Sequence, residues 1–267
     1  TLVIPFPPGA ATDAFGRIIS QRMTRDLKQQ IVVLNRDGAA GIIGTDYVAR
    51  AAPDGYTLLW GTSSGLAIMP ALKTKLPYDP QRDFAPVSLG TKVAWVLVVH
   101  PSVPANTVKA LIALAKARPG KLNFASAGTG GAPHLAGELF KSMAGINIVH
   151  IPYRGTALFA TDLVAGQVDL AFASPVTTLP FTRAGRLSAL AVTAAKRLDV
   201  YPDVPTMTEA GFPGIKVTTW YALWALKGTP KEIVDRMHQE VAKALQAPDI
   251  VNIWEQQGAV AGGQPPA

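Results

Sequence analysis

The chain has 267 residues, 48% hydrophobic and 16% charged, so it is long enough to bury one large core or two smaller ones. It contains no cysteine, which excludes disulfides and thiolate metal sites, and its four histidines, His100, His134, His150 and His238, are scattered without metal-ligand spacing. The net charge of +7 comes from Lys and Arg dispersed among acids, with no basic run or aromatic platform, which argues against nucleic acid as a partner and leaves a general affinity for anions.

In chain order, strands alternate with helices, the pattern of a parallel α/β architecture. LVIPF reads as a strand, TDAFGRIISQRMTRDL as a helix, QIVVLN as a strand, IGTDYVARA as a helix, YTLLWG as a strand and GLAIMPAL as a short helix. In the first helix Phe15, Ile18, Ile19, Met23 and Leu27 recur at helical spacing and leave Arg17, Arg22 and Lys28 to water, so one apolar stripe is expected to cover a sheet. VAWVLVVH reads as a long buried strand. A second set follows: helix VKALIALAKA, strand LNFAS, helix HLAGELFKSMA, strand NIVHIPY, helix ALFATDLVAG, strand DLAFAS, a short helix near LPFTRAG and strand LSALAV. The proline-rich YPDVPTMTEAGFPG leads into strand KVTTWYALWAL, and helices KEIVDRMHQEVAKAL and DIVNIWEQQG close the chain. No stretch approaches the roughly 18 to 20 uninterrupted apolar residues of a membrane helix.

Two α/β sets joined by long strands near residues 96 to 100 and 217 to 224 predict two lobes with a two-stranded hinge. The first lobe is expected to comprise residues 1–99 and 221–267, the second residues 100–220, with a ligand cleft between them.

Two loops carry the functional signal. In open α/β sheets, ligands bind beyond the carboxyl ends of the strands, where unpaired N–H groups and the dipole of each following helix favour an anion. PFPPGAATD is such a loop: Gly9, Ala10 and Ala11 leave the backbone bare, and Pro7 and Pro8 stiffen it. SAGTGGAPH, residues 126–134, is a second, between LNFAS and HLAGELF in the other lobe. Thr62, Ser63 and Ser64 in GTSSG, and Tyr153 to Thr156 in YRGT, also follow strands and join the expected rim. Asp13 either complements the positive end of its helix or accepts a hydrogen bond from a ligand hydroxyl, amine or water. Pro133 suits a first helical turn, and His134 beside it either donates to a ligand or caps the turn.

A competing chemistry is nucleophilic catalysis. GTSSG matches G-x-S-x-G after a strand, which would make Ser63 the nucleophile of an α/β hydrolase with Asp169 and His238 as partners. Against it, His238 falls within a helical stretch and no HGGG-like oxyanion loop precedes Ser63. A dinucleotide reading of GTGGAP fails because Pro133 stands where the third glycine of G-x-G-x-x-G belongs.

The same stretches resemble a known family. IPFPPGAATDAFGR, VLNRDGAAGIIGTDYVARAAPDGYTLL, LPYDPQRDFAPVSL, PGKLNFASAGTGGAPHLAGELFKSMAGINIVHIPYRG, DLVAGQVDLAF, ALAVTAAKRLDVYPDVPTMTEAGFPG and GTPKEIVDRMHQEVAKAL are similar, in order and over nearly the whole chain, to the TctC or Bug periplasmic solute-binding proteins of tripartite tricarboxylate transporters. The resemblance implies a two-lobed periplasmic-binding-protein (Venus-flytrap, type II-like) fold that closes on a small carboxylate-bearing solute and delivers it to membrane permease subunits, or reports it to a sensor protein. It implies no catalysis, cofactor or metal, a periplasmic location, and an export leader upstream of Thr1. The implied ligand contacts are Pro8, Gly9, Ala10, Thr12 and Asp13 on the first loop and Ser126, Gly128, Thr129, Gly130, Gly131 and His134 on the second. Ala10 replaces a glycine usual in the family and is expected to narrow the approach or alter φ. Ala173 and Ser174 stand where an acid and an amide are common, which implies a solute less polar at its distal end.

Overall fold

The computed structural model describes residues 1–72 and 75–263. The chain divides into two units, Thr1–Lys92 with Thr219–Ala267, and Val93–Thr218. No helix among the described residues is long and apolar enough to cross a membrane.

The first unit opens with strand β1 (Leu2–Ile4), helix α1 (Ala11–Leu27) and strand β2 (Val33–Asn35). A single left-handed turn, Ala39–Gly41, leads into α2 (Ile42–Ala49) and β3 (Leu58–Thr62). A π-helical turn, Ser64–Ile68, and short helices α3 (Met69–Leu72) and α4 (Pro80–Asp83) precede β4 (Phe84–Ala94). The chain returns to this unit on a long strand that we number after those of the second unit.

In the second unit β5 (Val96–Val99) and α5 (Val108–Ala117) are followed by three strand–helix pairs. These are β6 (Asn123–Ser126) with α6 (Ala132–Ala144), β7 (Val149–Pro152) with α7 (Thr156–Val164), and β8 (Leu170–Ala173) with α8 (Pro175–Arg183). Strand β9 (Ser188–Val192) completes it. Strand β10 (Thr218–Leu226), helices α9 (Lys231–Gln246) and α10 (Pro248–Gln256) and strand β11 (Ala259–Ala261) then finish the first unit.

The first sheet has the order β11-β4-β10-β3-β1-β2, the second β7-β6-β8-β5-β9. Both are mixed, where the sequence pattern predicted parallel sheets. β1 runs parallel to β2 and β3, and β10 is antiparallel to β3. β6 runs parallel to β7 and β8, and β5 is antiparallel to β8 and β9. The expected continuous strand VAWVLVVH is broken at Trp95, and Val96–Val99, expected in the first lobe, falls in the second unit, where it pairs with β8 and β9.

The expected stripe on α1 is buried at Phe15, Ile19 and Met23. Phe15 packs against Tyr221 of β10 and Trp254 of α10, ring centroids 5.6 and 4.8 Å away, and each fully buried aromatic of this size contributes on the order of 2 kcal/mol. Helix and sheet approach closely because residue 16 is glycine: a Cβ there would lie 2.7 Å from Ile4. In the second unit Val96, Val98, Ala125, Ala171 and Val192 form one core with Phe159 and Leu163. Phe140 of α6 meets Phe172 and Phe212 at 6.0 and 5.8 Å within the same unit. One buried threonine ties the segment's entry to its exit: Trp95 N–H donates to Thr193 Oγ1 at 2.8 Å, and that hydroxyl donates to the Val217 carbonyl at 2.5 Å.

Candidate functional site

Parallel strands place their carboxyl ends on one edge, so each unit gathers its strand-to-helix loops there. In the first unit these are the β1–α1 loop, the Ala39–Gly41 turn and the GTSSG segment. In the second they are the loops into α6, α7 and α8. All the predicted contact residues lie on these two edges.

In the β1–α1 loop, Pro8 and Gly9 are exposed while Ala10, Thr12 and Asp13 are buried. Gly9 takes φ +85°, and an added Cβ would meet nothing within 4 Å, so glycine is needed there for its conformation. Ala10 caps α1 with φ −103°, a value any residue adopts, so alanine costs no strain where the family's glycine was expected to matter. Thr12 is hydrogen-bonded to Tyr221.

Asp13 stands in the first turn of α1, as expected of an acid complementing the helix end, and has bonding partners besides. Its carboxylate accepts from Gly9 N–H at 3.1 Å, Arg17 Nε at 2.9 Å and Asn35 Nδ2 at 2.8 Å. Asn35 Nδ2 also donates to the Phe6 carbonyl at 2.9 Å, and Arg17 Nη2 donates to Asn35 Oδ1 at 2.8 Å. Burial pushes the Asp13 carboxyl up, but the bonds from Arg17, Asn35 and Gly9 outweigh it and hold the group below the ordinary aspartate value. Asp13 is therefore a buttress, and the Gly9 amide is committed to it.

At the end of β3, the hydroxyls of Thr62 and Ser63 are buried and have no hydrogen-bond partner among the described residues. Such orphaned groups cost about 1–3 kcal/mol each, which a polar ligand would recover. The adjoining turn carries Ala39 and Ala40 at φ 49° and 54°, roughly 1 kcal/mol or more of strain apiece. A Cβ on Gly41 would approach the Phe6 ring to 3.3 Å, and one on Gly44 would reach Pro5 Cα at 2.7 Å, so this turn backs the β1–α1 loop. The sequence reading missed it, although GAAG repeats the small-residue composition of PPGAA.

The second edge is built around Ser126, which is fully buried. Gly128 and Gly130 take φ +125° and +83°. Gly128 N–H donates to Ser126 Oγ at 3.3 Å, Gly131 N–H to the Gly128 carbonyl at 3.2 Å and Gly130 N–H to His134 Nδ1 at 3.0 Å. His134 thus caps its own loop, the second of its two expected roles. Thr129 is exposed at the tip. Pro133 stands in the first turn of α6, and Gly137 lets that helix lie on Phe124, where a Cβ would come within 2.2 Å.

Tyr153 donates to Asp162 Oδ2 at 2.7 Å, and burial with that carboxylate pushes its hydroxyl up to about 12. Ala173 and Ser174 are buried at the end of β8, with Ser174 Oγ 3.3 Å from Thr177 Oγ1.

The hydrolase constellation does not form. Ser63 has relaxed helical angles, φ −53° and ψ −32°, not the strained elbow of a nucleophile, and a π-helical turn follows it. Asp169 precedes β8, at the opposite edge of its sheet, where it accepts the Asn123 N–H at 2.8 Å. His238 lies inside α9, its Nδ1 buried and without a hydrogen-bond partner among the described residues.

The sequence profile of the tripartite tricarboxylate transporter family receptor, TctC, matches residues 15–261. The chain belongs to this receptor family. Protein BugT of Bordetella pertussis is 39% identical over 259 residues, 97% of this chain and 79% of the relative. A Rhodopseudomonas palustris protein solved with adipate superposes with a TM-score of 0.95 at 37% identity, covering 99% of this chain and 88% of that one. MatC of the same organism, solved with bound malate, gives 0.93 at 34% identity over 97% and 88% of the two chains. This TctC-family chain is therefore a solute-binding protein of mixed α/β, two-sheet fold, in a family of substrate-binding receptors.

Proposed function

We propose that this receptor captures a small organic acid in the periplasm and delivers it to the membrane permease subunits of a tripartite transporter. The observation that carries the reading is the pair of loop edges, each ending in helix N-termini with small residues over bare backbone. Four of the loops' own N–H groups, those of Gly9, Gly128, Gly130 and Gly131, are used to fix loop shape. A carboxylate then meets preorganised dipoles and the two orphaned hydroxyls, and its charge is favoured by the helix ends.

The adipate and malate bound by two relatives support dicarboxylates of four to six carbons as the class to test first. With alanine at position 173 and the Ser174 hydroxyl near Thr177, we expect plain dicarboxylates to bind more tightly than α-amino dicarboxylates. Thermal unfolding against adipate, malate, succinate and aspartate tests this. A ligand at about 100 times its Kd adds roughly 2.7 kcal/mol to stability, which should raise the midpoint by several degrees. No shift with any acid would defeat the reading, and the strongest shift with aspartate would defeat the expected class.

A further inference from the structure

His150 lies on β7, in register with Phe124 of β6. Its Nε2 is 2.7 Å from Ser126 Oγ, the hydroxyl that also meets the Gly128 carbonyl at 3.2 Å and receives the Gly128 N–H at 3.3 Å. From the opposite side, His134 of α6 holds Gly130 through Nδ1. The two imidazole centroids are 4.1 Å apart, and both rings pack on Phe124, at 4.9 Å for His150 and 6.3 Å for His134. The two left-handed glycines of the loop therefore rest on one histidine each.

We propose that His150 is a positioning residue of the 127–131 loop, acting as a donor through Ser126, and that His134 keeps the loop in its solute-binding shape only while its own ring is uncharged. The proposal rests on the carboxylate-capture reading above. Its physical basis is donor–acceptor bookkeeping. His134 Nδ1 accepts the Gly130 N–H and must carry no proton, which puts the ring's hydrogen on Nε2. Two imidazolium ions at 4.1 Å would repel in a partly buried site. The charged groups facing the pair come from α6: Glu138, whose Oε1 lies 3.8 Å from His134 Nε2, and Lys141, bonded to Glu138 at 2.8 Å and set over the Phe124 ring. From β6 the neighbours are Phe124 and Ser126, both uncharged. Glu138 is thus partly neutralised by Lys141. Burial and the neighbouring ring hold His150 down at about 4, and burial lowers His134 as well.

The test has a ligand-free arm and a binding arm. In nitrogen-edited spectra of the imidazoles, His150 is expected to remain neutral at pH 6, where an ordinary histidine of pKa near 6.5 is mostly charged, and His134 to titrate below the ordinary value. The Gly128 and Gly130 amide resonances should move together with the rings on further acidification. Rings that titrate near 6.5 while both glycine amides stay still would overturn the proposal. For binding, adipate and malate are titrated at pH 7. His150→Gln, whose amide nitrogen can reach Ser126 Oγ without titrating, should keep affinity within about twofold, whereas His150→Phe should lose roughly tenfold, the scale of one hydrogen bond. Equal affinities for the two variants would overturn it. If His150→Phe does not fold, the Gln variant still decides: its Gly128 amide should lose the acid-induced shift while Gly130 keeps it. Wild-type protein that binds neither acid would refute the capture reading, and the spectra would still decide the coupling of rings to loop.

Discussion

The Asp13 carboxylate accepts the Gly9 N–H at 3.1 Å, so the first acid of α1 folds back to hold the most exposed bend of the loop before it. Its other donors, Arg17 and Asn35, join the same carboxylate to β2 and to the Phe6 carbonyl. Asp13→Asn keeps the shape but puts an amide where charged bonds converge and leaves Arg17 without its counter-ion. We expect a loss of about 2 kcal/mol in stability, read as a lower urea midpoint, together with weaker solute binding. An unchanged midpoint would mean that the triad is not structural.

Gly9→Ala separates conformation from space. No atom obstructs the new methyl, so the whole effect is the cost of φ +85°, about 1 kcal/mol. Solute affinity should fall several-fold while the helix content by circular dichroism is unchanged. Ala10→Gly, at φ −103°, should by contrast leave affinity nearly unaltered.

Ser63→Ala and Thr62→Val remove hydroxyls that are buried without a partner among the described residues. In the free protein both changes are expected to be neutral or stabilising by up to about 1 kcal/mol, because an uncompensated polar group is removed. In titrations with adipate or malate the same variants should bind more weakly. A Ser63→Ala protein with unaltered affinity would place that hydroxyl outside the solute's reach.

Stability should decline in acid before the carboxylates titrate. His150 is neutral when folded down to a pH of about 4, whereas in the unfolded chain it takes a proton below about 6.5. The unfolded state therefore binds more protons throughout that window, and stability, full above pH 6.5, falls as the pH drops toward 4. His134 adds in the same direction. The slope will be shallower than one full proton, since the ring is only partly buried. Asp13, whose carboxyl is held low when folded, contributes stability that is lost only at more acid pH, below the unfolded aspartate value. Unfolding midpoints at pH 7.5, 5.5 and 4.5 check this, and His150→Gln should flatten the upper part of the decline.

The alternation of strands and helices was legible because each element carries its own period, as Phe15, Ile19 and Met23 do on α1. Both glycine loops were legible as strand-to-helix turns because glycine and proline interrupt the periodic segments on either side. Strand β4 was not. No element was assigned to residues 84–92, where Pro86 and Gly90 interrupt any alternation, yet Gly90 is there because the Trp60 ring fills the space of a side chain, 2.2 Å from where Cβ would lie. That constraint comes from a residue thirty positions away and leaves no local trace. The Asp13–Arg17–Asn35 triad and the His134–His150 pair were hidden for the same reason. Asn35 and His150 reach their partners only through strand pairing, and single polar residues at strand ends announce no contact.

The second unit is one uninterrupted stretch, Val93–Thr218, whereas the first is made of two pieces. Strand β10 sits between β4 and β3 in the first sheet, so the opening ninety-two residues lack a central strand until the ribosome has passed residue 226. The lobe that starts first therefore finishes last. Protease protection of nascent chains should appear across 93–218 while β1, β3 and β4 are still cleavable, which would keep the amino-terminal portion unfolded for most of the time the protein is being made.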